Sequence, residues 1–380
     1  MSATLPKIVI AFKALVSSFI ERSERGVAIL IVKEDGEGTG NDYVPVTKSI
    51  QEVTLSTDLT DWSNSNAAKI ADMLEIGPSK VVVVTIDSTD TVADATALIE
   101  ANYPSGRVTI ATETAADYTS LVTWAKTKKT YHVVVFNAST PDSRYVENVY
   151  NQNITFSSDW DAGRTGQGSL VRTTGTTEKL LPLICAILSK ANVNGASSTV
   201  ISALAGCVDL VTPDTTVNNG FLILYNDWKG SDRVVRLGTA VNSLTTFDSS
   251  AENGDEIEDM RYIEVSEAAD MIRADIKTVF RDEYVGAMKN SVDNQMQLIG
   301  AIKQYYQGLA DDEILSETSD NTVEIDVDAQ RAAWATVNPD AADWDDDTVR
   351  SKPFRRKVFL KSNIQILQSM QDLTMNITLA

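Results

Sequence analysis

One histidine, two cysteines, two glycine-rich segments and an acidic run are the features of this 380-residue chain whose types and spacing could do chemistry. A nucleophile–base system would have to use His132, the only histidine. His132 lies inside the run Tyr131 to Phe136, where a packed strand position is its expected role. Zinc needs several His or Cys ligands, and one His with the distant Cys185 and Cys207 supplies no standard set. Gly163, Gly166 and Gly168 before Ser169 mimic a phosphate loop, without the lysine that such a loop places before its hydroxyl residue. Gly36, Gly38 and Gly40 do not lead into a helix, so dinucleotide binding is not supported. Asp345, Asp346 and Asp347 lack the alternation and the glycine of a calcium loop. Asn153-Ile154-Thr155 and Asn376-Ile377-Thr378 are glycosylation sequons that matter only in a secreted chain. No catalytic, cofactor-binding or metal-binding set emerges, and the chain is read as no enzyme.

Composition narrows the classes further. Acids outnumber bases 53 to 33, giving a formal charge of −20. Such a field repels nucleic acid, and it demands local charge matching wherever copies pack together. No run of about 18 apolar residues predicts a membrane span. Met1 to Lys13 does not have the order of a secretory signal. Two cysteines in a chain of this length suit a reducing compartment, each behaving as a small hydrophobe.

The elements that would position these residues follow from periodicity. Ile8, Ile10 and Phe12 share a face of a short N-terminal strand, with Val9 and Ala11 between them, and Gly26 to Val32 is a second apolar run. From Lys80, strand and helix alternate: Lys80 to Ile86, Thr91 to Ala101, Arg107 to Ala111, Ala115 to Lys126, Tyr131 to Phe136. That rhythm predicts βαβ units and a parallel sheet covered by helices. Glu178 to Ala191 is a further helix. Phe221 to Tyr225 and Val234 to Leu237 read as paired strands with Trp228, Lys229 and Gly230 as the turn. Beyond Glu252, apolar residues recur at helical spacing, as in Ile272, Ile276 and Val279 and again in Ile299, Ile302 and Tyr306. Thr322 to Ile325 is a short strand, and Asp340 to Asp347 reads as an acidic, flexible link.

The C-terminal end is the unusual part. Val358 to Leu367, with Val358, Leu360, Ile364 and Ile366, is strand-like. Leu373, Met375, Ile377 and Leu379 then alternate with Thr374, Asn376 and Thr378. A terminal strand with one apolar face invites association. Just before it stands a basic block, Arg350, Lys352, Arg355, Arg356 and Lys357, a candidate charged interface in an acidic chain.

Several segments, in order, resemble the contractile tail sheath family of myophages and R-type bacteriocins, especially the short sheaths of Gram-positive hosts. They are Arg22-Ser23 and Arg25-Gly26; Val241-Asn242-Ser243-Leu244-Thr245-Thr246; and Tyr284, Gly286, Asn290, Ser291, Asp293 and Asn294, with Ala301, Ile302 and Tyr305. Val323-Glu324-Ile325-Asp326 with Ala329-Gln330 follows, then Val358-Phe359-Leu360-Lys361 with Met370, Asp372 and Leu373. Gly238-Thr239-Ala240 departs from the Arg-Gly that such sheaths often carry there. The resemblance implies a multidomain α/β and α+β subunit: an N-terminal arm (1–25), a small β-rich domain (26–78), an α/β sheath domain (79–252), an inner α+β domain (253–357) and a C-terminal strand arm (358–380). It implies helical self-association in hexameric rings around a tail tube protein, with baseplate and tail terminator proteins at the ends. Assembly would take place in the bacterial cytoplasm, yielding a virion tail or a released bacteriocin, with no direct nucleic acid and no membrane insertion. The competing reading is an α/β nucleotide-binding protein or enzyme built on the Lys80 to Phe136 units.

Overall fold

The computed structural model describes residue 20 and residues 26–38, 42–112, 114–139, 141–160, 172–248 and 256–377. It is a mixed α/β protein of two compact units: one contains Ile272–Ile366, and the other runs to Met271 and resumes at Leu367.

The larger unit is built on six strands that come early in the chain: β1 (Val27–Glu34), β2 (Ser49–Val53), β3 (Lys80–Asp87), β4 (Gly106–Ile110), β5 (Tyr131–Phe136) and β6 (Val146–Val149). Three more, β7 (Asn153–Phe156), β8 (Thr174–Thr176) and β9 (Leu204–Cys207), form a separate sheet in the order β8-β7-β9. β10 (Phe221–Leu222) completes a seven-stranded sheet of order β10-β6-β5-β4-β1-β3-β2, parallel except for β2. The β-branched runs of β1, β3 and β5 are buried almost end to end, as expected of strands covered on both faces. Their cover is four helices: α1 (Asn64–Ile76), α2 (Val92–Asn102), α3 (Ala115–Lys128) and α4 (Leu181–Ala191). α4 is apolar nearly all round because it packs on α1 as well as on β1, β4 and β5. Gly26 has φ +105°, and a Cβ there would stand 2.8 Å from Ser79 Oγ and 2.9 Å from the Ser189 carbonyl. That crowding is why the Arg25-Gly26 pair carries a glycine.

Two expectations change here. β1 and β2 belong to the same sheet as β3, so residues 26–78 are not a separate β-rich domain in this fold. Phe221 pairs with Asn148 in the large sheet, whereas the hairpin is made by β11 (Leu224–Lys229) and β12 (Asp232–Leu237). A short helix, α5 (Pro213–Asn218), precedes β10.

α6 (Ile263–Val279) begins in the larger unit. The smaller unit holds α7 (Val292–Asp311), β13 (Thr322–Ile325), α8 (Val327–Ala335), α9 (Asp346–Arg350) and β14 (Leu360–Asn363), with β13 and β14 antiparallel. The expected flexible link at 340–347 is instead a 3-10 turn, Pro339–Asp343, running into α9. The side chains of Asn338 and Asp345 cap the two turns, and Ala341 and Val349 are buried beneath them.

Candidate assembly surfaces and the buried charge cluster

The C-terminal segment divides in two. Leu360–Asn363 pair with Thr322–Ile325 in register, and Ile366 bridges to Leu315. Val358 and Ile364 are half-buried within the same unit. From 367 to 377 the backbone enters no ladder among the described residues. Met370, Leu373, Met375 and Ile377 are 102%, 87%, 67% and 71% exposed. The base of this segment is tethered, because Glu264 on α6 accepts the Ser369 amide at 3.0 Å and also the Ser369 hydroxyl. Ile8, Val9, Ile10, Ala11, Phe12 and Leu379 lie outside the described residues.

The basic block also divides. Arg350 pairs with Asp347 at 3.3 Å, and Lys352 sits 4.0 Å over the Trp344 ring. Arg355, Arg356 and Lys357 make no ion pair among the described residues. Asn290 holds this stretch, donating to the carbonyls of Arg355 and Lys357 at 3.2 and 3.0 Å. Ser291 caps α7, and Asp326 caps α8. Gln330 reaches the carbonyls of Val349 and Lys352. The recurring polar residues of this unit are thus fasteners between its segments. Asn242 and Ser243 do the same in the larger unit. Asn242 donates to the Met260 carbonyl at 2.6 Å and Ser243 to the Ser143 carbonyl at 3.0 Å, both from buried positions.

His132 is where the sequence offered least and the fold offers most. Arg107 and His132 are register partners on β4 and β5, and Glu147 stands on the adjacent β6. α6 lays Glu267 and Asp270 against them. Arg107 Nη2 lies 2.7 Å from Glu267 and 3.3 Å from Glu147. His132 places Nδ1 3.0 Å from Glu147 and Nε2 3.1 Å from Asp270. Arg144 Nη2 closes the set 2.6 Å from Asp270, with Nη1 2.8 Å from the Ser266 hydroxyl. Burial alone would strip His132 of its proton, but Glu267, Asp270 and Glu147 together outweigh it and raise the imidazole to about 9. Burial likewise opposes charge on Asp270, and His132 and Arg144 overcome it, holding the carboxyl well below its usual range. Three cations therefore face three anions. The adjoining cavity, about 40 Å³, has room for about one water. This arrangement fastens α6 to the sheet, and offers no space for a substrate. The signal was present in the sequence as charges inside apolar strands, namely Arg107, His132 and Glu147, with Glu264, Glu267 and Asp270 spaced along one helix.

At the carboxyl end of β3, where an α/β enzyme would hold a ligand, the Asp87 carboxylate is already occupied. It accepts the Thr89 amide and hydroxyl at 2.9 and 2.8 Å, Tyr43 Oη at 2.8 Å and the Val46 amide at 3.3 Å. The cysteines are free thiols. Burial pushes Cys185 up to about 12 and Cys207 to about 11, which makes them poor nucleophiles.

Comparison with known proteins agrees with this picture of a chain built for packing. Residues 255–380 match the phage tail sheath C-terminal domain. The tail sheath protein of Clostridium phage phiCD119 is 24% identical, covering 99% of both chains. The fold is shared with the helical sheath of the anti-feeding prophage in its contracted state, at a TM-score of 0.65, 14% identity and 99% coverage of both chains. The sheath tail protein of Desulfitobacterium hafniense gives 0.61 at 13% identity, over 85% of this chain and 94% of that one. That of Listeria innocua gives 0.58 at 12%, over 82% and 91%. Along its length the chain is thus similar to tail sheath proteins in sequence and in fold, and its residues 255–380 match the C-terminal domain of that family.

Proposed function

We propose that copies of this chain polymerise helically around a tail tube, exchange terminal strands with their neighbours, and contract to drive the tube through a cell envelope. The observation that supports strand exchange is the segment 367–377, which enters no ladder among the described residues and leaves Met370, Leu373, Met375 and Ile377 in solvent. Adding such a segment to a sheet edge of another copy supplies main-chain hydrogen bonds, with alternate side chains fixing the register. Each apolar side chain buried contributes about 1.5–3 kcal/mol. Leu373, Met375, Ile377 and Leu379 are the proposed donors at one end, and Ile8 to Phe12 at the other. Head-to-tail donation generates open helices, here stacked as hexameric rings between a baseplate and a tail terminator protein. The proposed site of assembly is the bacterial cytoplasm, and the product a virion tail or released bacteriocin. Contraction then draws on an extended lattice that is kinetically trapped and relaxes to better packing.

Deleting residues 373–380 tests the strand exchange. The expected product is a folded, soluble subunit that forms no tubes by electron microscopy. Normal sheaths from the truncated chain would refute it.

A further inference from the structure

A groove beside the start of α7 has a cavity of about 410 Å³ lined by Phe280, Leu298 and Val358, with Lys289, Arg355 and Arg356 at its margin. Its walls are held by design of the chain: Asn290 grips the Arg355 and Lys357 carbonyls, and Gln295 donates to Asn290 Oδ1 at 2.8 Å. Phe280–Tyr284 is a π-helical turn, a rare form concentrated at functional positions. Arg355 has φ +47°, a left-handed conformation that a residue with a Cβ adopts at a cost. Among the described residues Lys289, Arg355, Arg356 and Lys357 make no ion pair. Three of these cations, Lys289, Arg355 and Arg356, stand at the margin of an apolar floor, which is conspicuous in a chain of charge −20. Val285, also on this groove, is 59% exposed.

The complement lies on the same unit. The 3-10 turn Pro339–Asp343 presents Asp340 and Asp343 to solvent, and neither makes an ion pair among the described residues. Val337 beside them is 46% exposed. The strip is therefore an apolar residue followed by free carboxylates, matching an apolar groove edged by free cations.

We propose that the groove of one copy receives the 337–347 strip of a second copy. This contact rests on the self-assembly reading and adds to it the charge matching that packing of copies at −20 requires. Different surfaces meet, so the contact is heterologous and propagates as an open helix. Apolar burial supplies affinity, while the exposed charges set the rate of association and its salt sensitivity.

Charge exchange within one chain provides the test. Arg355→Glu with Arg356→Glu, and separately Asp340→Arg with Asp343→Arg, are each expected to slow tube formation about tenfold or more at low salt. The chain with all four substitutions is expected to assemble as the wild type does. Circular dichroism melting establishes that each variant is folded, and Arg356→Gln with Lys357→Gln serves if the reversal unfolds the unit. Reversal variants that assemble normally overturn the contact. So does a folded quadruple variant that stays defective, an outcome that assigns the groove to a different protein or to the chain's own C-terminal segment. A wild-type chain that forms no ordered assembly overturns the self-assembly reading and this contact with it.

Discussion

His132 holds its proton through three carboxylates rather than through solvent, so its contribution to stability depends on pH in a defined direction. The folded imidazole titrates at about 9 against 6.5 unfolded. Stabilisation is therefore complete below about pH 6.5 and is lost as pH rises through 9, an amount on the order of 3 kcal/mol. Denaturant unfolding at pH 6 and pH 10 should show this decline, and His132→Gln should flatten it while lowering stability at pH 6. A wild-type curve that stays level over that range would remove the claim. Asp270→Asn, which leaves Arg144 and His132 without their shared anion, belongs to the class of broken buried pairs that cost about 3–5 kcal/mol. This cluster was legible in the sequence only in fragments. Each of Arg107, His132 and Glu147 interrupts an apolar strand, but nothing local says that the three strands lie side by side, or that α6 returns more than 100 residues later to neutralise them.

At the scale of elements, the C-terminal segment behaves as two pieces with a hinge of chemistry between them. Leu360–Asn363 spend their hydrogen bonds on β13, while 367–377 enter no ladder among the described residues. Glu264 marks the start of the open piece by holding Ser369. Glu264→Ala should accelerate hydrogen exchange at the Ser369 amide, with a global cost of about 1 kcal/mol, and unchanged exchange there would mean that the tether is dispensable. The strands at 80–86, 107–111 and 131–136 and their intervening helices were readable because burial on both faces writes continuous β-branched runs. α1 was missed, since Asn64–Ile76 follows a polar stretch that resembles loop, and its Asn66 and Asp72 are buried polar residues that blur the apolar stripe. The 340–347 region was misread for a related reason. Its acids suggested a solvated link, whereas Asn338 and Asp345 act as caps, and the apolar anchors Ala341 and Val349 are too sparse to show a period.

For the whole molecule, no bound nucleotide need be invoked if the work of contraction is stored in the lattice. Scanning calorimetry of extended and contracted sheaths should then give a higher transition temperature for the contracted form, and coincident transitions would count against stored lattice energy. The open segment 367–377 also bears on the subunit's life before it joins anything. An exposed, unpaired stretch carrying Met370, Leu373, Met375 and Ile377 is the form that proteases thread and chaperones grip. Under the proposed strand exchange, a copy that finds its neighbours hides this segment, and a copy in excess keeps showing it. If 367–377 pairs with a neighbour as proposed, the same stretch would serve as a stoichiometric gauge, marking surplus subunits for clearance while finished particles pass unrecognised.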